Sequence, residues 1–351
     1  MAEILRGCVP LLKLKRFKRP RTLLGSLLLF VGLVLSACGT TGDEKPQTTG
    51  DAKPQTTADQ KIRIGYQKNG PLLILKNVGT LEKRLEPLGY KVEWHEFQAG
   101  PALLEALNAG SIDFGRTGDS PPVFAQASGS SLQYIAVGFS KFKGSGILVK
   151  DDSPIQKLGD LKGKTIGFAK GSSSHFLLVK ALEKANLKYE DITPAFLSPG
   201  DARVAFEQGD IDAWVVWDPF TADTEVSTGA RLLVNGEGLT SDRDYFLSSS
   251  DFAAEHSDIL KEVVEEIRNS SNWANENPEE LTKMLSAILG IDEASMKLAV
   301  ERRVHGVEKE ISEEIITEQQ TIADTFYELG IIPTKINVKE RVFSFEKDGG
   351  K

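Results

Sequence analysis

Two stretches of this chain repeat each other, and that repeat limits the possible fold more than any other feature. IGYQKNGPLLIL, from Ile64, resembles IGFAKGSSSHFLLV, from Ile166. LLEALNAGSIDFG, from Leu103, resembles ARVAFEQGDIDAW, from Ala202. Gly110 and Gly209 lie 99 positions apart, as do Asp113 and Asp212, while Ile64 and Ile166 lie 102 apart. Two matches in the same order at nearly the same offset predict two α/β halves of similar construction. The intervening pattern agrees. KIRIGYQ, YKVEWHEF and SIDFGRTG read as strands, and VGTLEKRLEPLG and GPALLEALNAG as helices. After residue 150 the alternation resumes with GKTIGFAKG, HFLLVKALEKANL, ITPAFLS, DARVAFEQG and DIDAWVVW. This order predicts mainly parallel sheets with helical crossovers. From Ser257 onward the pattern is helical, with Asn277-Pro278 opening one helix and Gly330 closing the last long one.

The N-terminal residues belong to neither half. The basic stretch KLKRFKRPR precedes the apolar run TLLGSLLLFVGLVL, as in a secretory signal. That run is shorter than the roughly 20 residues of a permanent membrane span. Leu35-Ser36-Ala37-Cys38 matches a bacterial lipobox, which predicts lipidation at Cys38; the other reading is a plain cleaved signal. Cys8, the only other cysteine, lies inside the leader, so Cys38 has no disulfide partner in the body. Residues 39–60 contain KPQTT twice and no leucine, valine or aromatic residue, the composition of a solvated tether. Residues 1–37 carry seven basic side chains against Glu3 alone, so the net charge of −8 understates how acidic the body is. That charge argues against nucleic acid as a partner.

Four strand-to-helix turns stand out: Gln67-Lys68-Asn69-Gly70-Pro71, Thr117-Gly118-Asp119-Ser120-Pro121, Gly171-Ser172-Ser173-Ser174-His175 and Trp217-Asp218-Pro219. In a parallel sheet, ligands collect where strands end and helices begin. Helix N-termini offer unsatisfied N–H groups and a partial positive charge, which suits a small anion. Glycine permits close approach, and serine adds donors without bulk. The competing explanation is capping, because Ser, Asp and Asn are the usual N-cap residues. Three consecutive serines exceed what a cap needs, and an Asp cap repels an anion. Trp214 and Trp217 point to opposite sides of a strand, so one belongs to the core and the other, Trp217, borders either a cleft or the core.

Catalytic motifs are missing from the sequence. There is no G-x-S-x-G elbow, no nucleotide-binding G-x-x-x-x-G-K-[ST] loop and no paired metal motif among the four scattered histidines. Ser173 and His175, two apart at a helix start, do not face each other as nucleophile and base.

The stretches IRIGYQKNGPLLILK, LLEALNAGSIDFGRTGDSPPVFAQA, LKGKTIGFAKGSSSHFLLVKAL and LSPGDARVAFEQGDIDAWVVWDPF resemble the periplasmic substrate-binding proteins of ABC importers for aliphatic sulfonates, relatives of taurine- and nitrate-binding proteins. The resemblance runs from about Lys61 to Lys335. It implies a type II periplasmic-binding-protein fold: two α/β lobes with mainly parallel sheets, joined by two hinge crossings. Lobe one would be 61–148 plus 245–351 and lobe two 149–244, with crossings near Gly144–Val149 and Asp242–Phe246. The matching motifs imply a cleft lined by Gln67, Gly118, Asp119, Ser120, Ser172, Ser173, Ser174, His175, Trp217 and Asp218. The implied protein is a non-enzymatic monomer in the periplasm or at the cell surface, without cofactor or metal. Its partners would be a small organic sulfonate, an ABC permease with its ATPase, and a membrane met only through the lipid. A sulfonate has no proton to donate, so a pocket of donors suits it. No clustered arginines accompany the turns, which argues against a multiply charged ligand. An ammonium, as in taurine, would pair with Asp218 or Asp119. The alternatives are taurine, nitrate, bicarbonate or a thiamine-pyrimidine precursor in the same fold, or an enzyme on the same scaffold.

Overall fold

Charged and apolar residues alternate in KIRIGY, and the chain follows that period. Ile62 and Ile64 are buried while Lys61 is exposed, as a strand with one face on a core requires. A computed structural model describes residues 60–345; the expected leader, Cys38 and all but the last residue of the tether lie outside the described residues. The first series comprises β1 (Gln60–Tyr66), α1 (Pro71–Val78), α2 (Thr80–Leu85), β2 (Tyr90–Glu96), α3 (Gly100–Asn108), β3 (Phe114–Thr117), α4 (Ser120–Ala127) and β4 (Leu132–Ser140). The second comprises β5 (Ser145–Val149), β6 (Thr165–Phe168), α5 (Ser173–Lys184), β7 (Thr193–Phe196), α6 (Pro199–Gln208), β8 (Ala213–Trp217), α7 (Phe220–Thr228) and β9 (Arg231–Asn235). The chain then continues through β10 (Arg243–Ser249), α8 (Ser250–Glu255), α9 (Ser257–Glu276), α10 (Pro278–Leu289), α11 (Glu293–Glu301) and α12 (Glu313–Glu328).

Two five-stranded sheets result, ordered β2-β1-β3-β10-β4 and β7-β6-β8-β5-β9. In the first, β1 pairs parallel with β2 and β3, and β10 pairs antiparallel with β3 and β4. In the second, β6 pairs parallel with β7 and β8, and β5 pairs antiparallel with β8 and β9. Four of the five strands in each sheet therefore run one way. The reversed strand is the one that has just arrived from the other sheet.

The sequence repeat has a physical cause. A Cβ on Gly65 would lie 2.6 Å from Ile112 Cδ1, and one on Gly167 would lie 2.4 Å from Ile211 Cδ1, so at both positions glycine lets an isoleucine pack directly on the strand. Asp113 Oδ2 accepts the Arg63 N–H at 2.7 Å, and Asp212 Oδ2 accepts the Thr165 N–H at 2.8 Å. Each carboxylate pins a strand whose partner begins beside it.

The chain passes between sheets through residues 141–144 and returns through 236–242, in each case just ahead of the expected crossing. The shift has a simple reason. Gly144–Val149 falls largely on β5 and Asp242–Phe246 largely on β10, and a strand bonded on both sides cannot act as a linker. The crossings lie side by side, with the Lys141 N–H 3.3 Å from the carbonyl oxygens of Ser241 and Asp242. Each lobe keeps its own core, around Ile64, Leu75 and Val263 in lobe one and around Ile166, Leu178 and Val215 in lobe two. The lobes also share an apolar contact, where Phe176 of α5 meets Phe326 of α12 edge-on at 5.8 Å.

Candidate ligand-binding cleft

The four turns singled out in the sequence leave the C-terminal ends of β1, β3, β6 and β8, and all four meet between the lobes. The cleft holds two adjoining cavities of about 20 and 60 Å³, which share Asn69, Lys141 and Trp217 as walls. Gln67, Gly118, Ser172, Ser173, Arg116 and Asp242 line the smaller one. Asp218 lies on the larger, and Trp217 faces both. Trp214 points the other way and is buried in the core of lobe two.

The serine turn is not an ordinary cap. Elsewhere the chain caps by the usual chemistry: Ser198, Ser249, Asp292 and Ser312 each accept a backbone N–H from the first turn of the helix they precede. Ser172 precedes α5 in extended geometry, yet its side chain accepts no such bond. Its hydroxyl instead donates to the Ala169 carbonyl at 2.7 Å. Asp119 also fails to cap α4: it is itself helical (φ −72°, ψ −42°) and its side chain accepts no N–H from the helix. Gly70, before α1, has no side chain to cap with. Two helix N-termini without side-chain caps, those of α4 and α5, thus meet at the smaller cavity, and Gly70, before α1, lines the larger one.

Two of these N-termini touch across the cleft. The Asp119 N–H donates to Ser173 Oγ at 3.2 Å, linking lobe one to lobe two. A Cβ on Gly118 would lie 2.1 Å from the same oxygen. Asn69 makes a second link, donating from Nδ2 to the Asp218 carbonyl at 3.3 Å while its Oδ1 accepts from Arg116 at 2.9 Å.

Four of the expected lining residues do not reach either cavity wall. His175 is fully buried; Nδ1 accepts the Gly171 N–H at 3.3 Å, and Nε2 lies 3.0 Å from the Tyr189 hydroxyl. Its ring packs on Phe168 and Phe326, with centroids 4.9 and 5.0 Å away. Burial, reinforced by Lys170, pushes its pKa down to about 3, so the ring is neutral and structural. Ser174, one turn position further, is enclosed with its hydroxyl unpaired. Ser120 is also enclosed and donates to Asp119 Oδ1 at 2.9 Å. Asp119 lies behind the wall, where burial and the neighbouring Asp242 push its carboxyl up to about 6.

The expectation of a cleft without clustered arginines is overturned. Arg116 and Arg303 both pair with the buried Asp244, and Lys141 pairs with Asp242 and lies 3.8 Å from Asp244. Ser145 Oγ also donates to Asp242. Burial opposes the charge on Asp244, but the fields of Arg116, Arg303 and Lys141 win and hold it well below the ordinary 3.8. Arg116, Arg303 and Lys141 thus share the cleft floor with Asp244 and Asp242, and Asp119 lies beside Asp242. The signal for Arg116 was present, since it is the one basic residue in the strand between two of the motifs. Lys141 and Arg303 sit in stretches with no motif at all. Among the described residues, no group of three or more His, Cys, Asp or Glu side chains is placed to hold a metal ion.

Comparison with known proteins fits this geometry. The family described as NMT1/THI5 like matches residues 89–281. A protein of Escherichia coli strain K12 named for aliphatic sulfonate binding is 38% identical over 293 residues, covering 83% of this chain and 91% of its own length. A Bacillus subtilis strain 168 protein of the same name is 36% identical over 321 residues, covering 90% and 93%. The solved alkanesulfonate-binding protein SsuA from Xanthomonas axonopodis pv. citri, bound to MOPS, aligns with a TM-score of 0.77 at 39% identity, covering 81% of this chain and 98% of that one. At this identity and coverage, across both lobes and the turns between them, the chain belongs to the NMT1/THI5-like family and, within it, to the SsuA-type aliphatic sulfonate-binding proteins.

Proposed function

We propose that the protein captures an aliphatic sulfonate between its lobes and delivers it to an ABC permease and its ATPase, making and breaking no covalent bond. The observation that carries this reading is the meeting of the α4 and α5 N-termini, neither with a side-chain cap, beside Arg116 and Lys141 at the smaller cavity. Such a site stabilises a fixed negative charge through N–H and hydroxyl donors. The sulfonate oxygens would lie against Gly118, Ser172 and Ser173, within the field of Arg116 and Lys141. Gln67 and Trp217 complete the wall. Asp119, Ser120, Ser174 and His175 support it from behind.

A thermal-shift panel tests the reading. Alkanesulfonates at 100 times their Kd should stabilise the protein by about 2.7 kcal/mol, with nitrate and phosphate leaving the transition in place. A shift with nitrate and none with any sulfonate would reassign the ligand. Consumption of a sulfonate during prolonged incubation would reassign the class to an enzyme.

The proposal places the protein as a monomer in the periplasm or at the cell surface, held by lipid on Cys38. Detergent phase partition checks the anchor: the chain should enter the detergent phase, and the Cys38→Ser variant should stay in the aqueous phase. Equal partition of the two would leave Cys38 without an anchoring role.

A further inference from the structure

The sulfonate reading occupies the smaller cavity and leaves one wall of the larger cavity unassigned. That wall is the helical hairpin α10–α11, which turns at Gly290 in left-handed geometry. Leu285 and Leu289 of α10, four apart, and Met296, Ala299 and Val300 of α11 line the cavity. Both sets fall on single helix faces. Leu285, Met296 and Ala299 also belong to the core of lobe one, so the wall is backed by packed side chains. Trp217 of lobe two closes the cavity along with this wall. Just beyond α11, Arg302 reaches lobe two, pairing with Glu225 at 2.7 Å and lying 3.5 Å from Asp218. The hairpin therefore packs on lobe one and also meets lobe two, through α7, whose Ala222 joins the same apolar cluster, and through the Arg302 ion pairs.

We propose that hairpin α10–α11 reads the organic tail of the ligand, taking an uncharged alkyl chain or compact ring against Leu285, Leu289, Met296, Ala299 and Val300. This rests on the sulfonate reading for the head group and adds the residues that select the tail. Head and tail have a continuous path, because the two cavities share Asn69, Lys141 and Trp217. The wall offers a tail nothing to hydrogen-bond, so its selectivity is for apolar area and shape. Each methylene that leaves water against it multiplies affinity by about fourfold. Arg302 makes this readout conditional on lobe approach, since its partners Glu225 and Asp218 both belong to lobe two.

Titration calorimetry of the full chain with methanesulfonate, butanesulfonate and hexanesulfonate tests the proposal. Affinity of the unmodified protein should rise along the series. Ala299→Leu fills the larger cavity and should weaken hexanesulfonate binding by ~10-fold while changing methanesulfonate less than ~2-fold. Leu289→Ala removes part of the wall at a half-buried position and should cost hexanesulfonate several-fold, again sparing methanesulfonate. If Ala299→Leu does not fold, Leu289→Ala decides alone. Equal losses at every chain length, or none at any, overturn the tail assignment. If the unmodified protein binds none of the three, the sulfonate reading itself has failed, and this inference with it.

Discussion

Replacing Asp244 with alanine should destabilise the protein by ~3–5 kcal/mol, the largest stability effect expected of a single substitution here. Asp244 is fully buried and holds both Arg116 and Arg303, with Lys141 at 3.8 Å. Removing it leaves two guanidinium groups enclosed without their counter-ion, and charges in that position cannot recover their hydration. For a body of this size the melting temperature should fall by roughly 10 °C. A fall of only a degree or two would mean that water reaches the cleft floor and solvates the cations. The pH dependence follows from the same residue. Its folded-state pKa is depressed, so its stabilisation is fully present above the ordinary carboxylate value of 3.8 and is lost as pH falls further. Asp244→Ala should accordingly flatten the acid limb of the stability profile below about pH 4.

The largest effect on binding is expected from Gly118→Ala. An added Cβ would sit 2.1 Å from Ser173 Oγ, in the gap where the lobes meet. Relief requires Ser173 to rotate, losing its bond from the Asp119 N–H, or requires the lobes to stay apart. Either outcome removes donors from the site, and a loss of ~100-fold in sulfonate affinity, about 2.7 kcal/mol, is expected. The core of each lobe is untouched, so the ligand-free melting temperature should stay put. Combining Gly118→Ala with Ser173→Ala replaces the clash by a tight 3.3 Å carbon contact, and the double variant should lose less than the sum of the singles. Strictly additive losses would show that the two residues do not meet when the ligand is held.

The two predictions differ in how visible their residues are in the sequence. Gly118 lies in a turn flagged by its neighbours, between an alternating strand and a helix with proline in its first turn. Asp244 lies in SDRDYF, which carries no recognisable motif, and its partners come from 128 and 59 positions away. Spacing arguments work over a turn or a strand, where geometry is fixed by the backbone period. They have no purchase on a cluster assembled by a chain that leaves one lobe and later returns. The same limit explains the error at His175. In the sequence it continues a run of donors, but one helical position rotates a side chain by about 100°. That rotation takes it from the cleft edge into a layer of phenylalanines.

Sequence alone determined what depends on local backbone geometry. It specified two α/β halves of like topology, because Gly65 and Gly167 each take an isoleucine against the strand and Asp113 and Asp212 each pin a strand. It also located the four turns, because a change from period two to period 3.6 marks every strand-to-helix junction. The tertiary structure decided which residues of those turns face the cleft, where the cations lie, and that a hairpin far beyond the last turn in sequence, from Leu285 to Val300, walls it. Charge fields and apolar contact act through space, so only the folded chain determines which distant side chains they join.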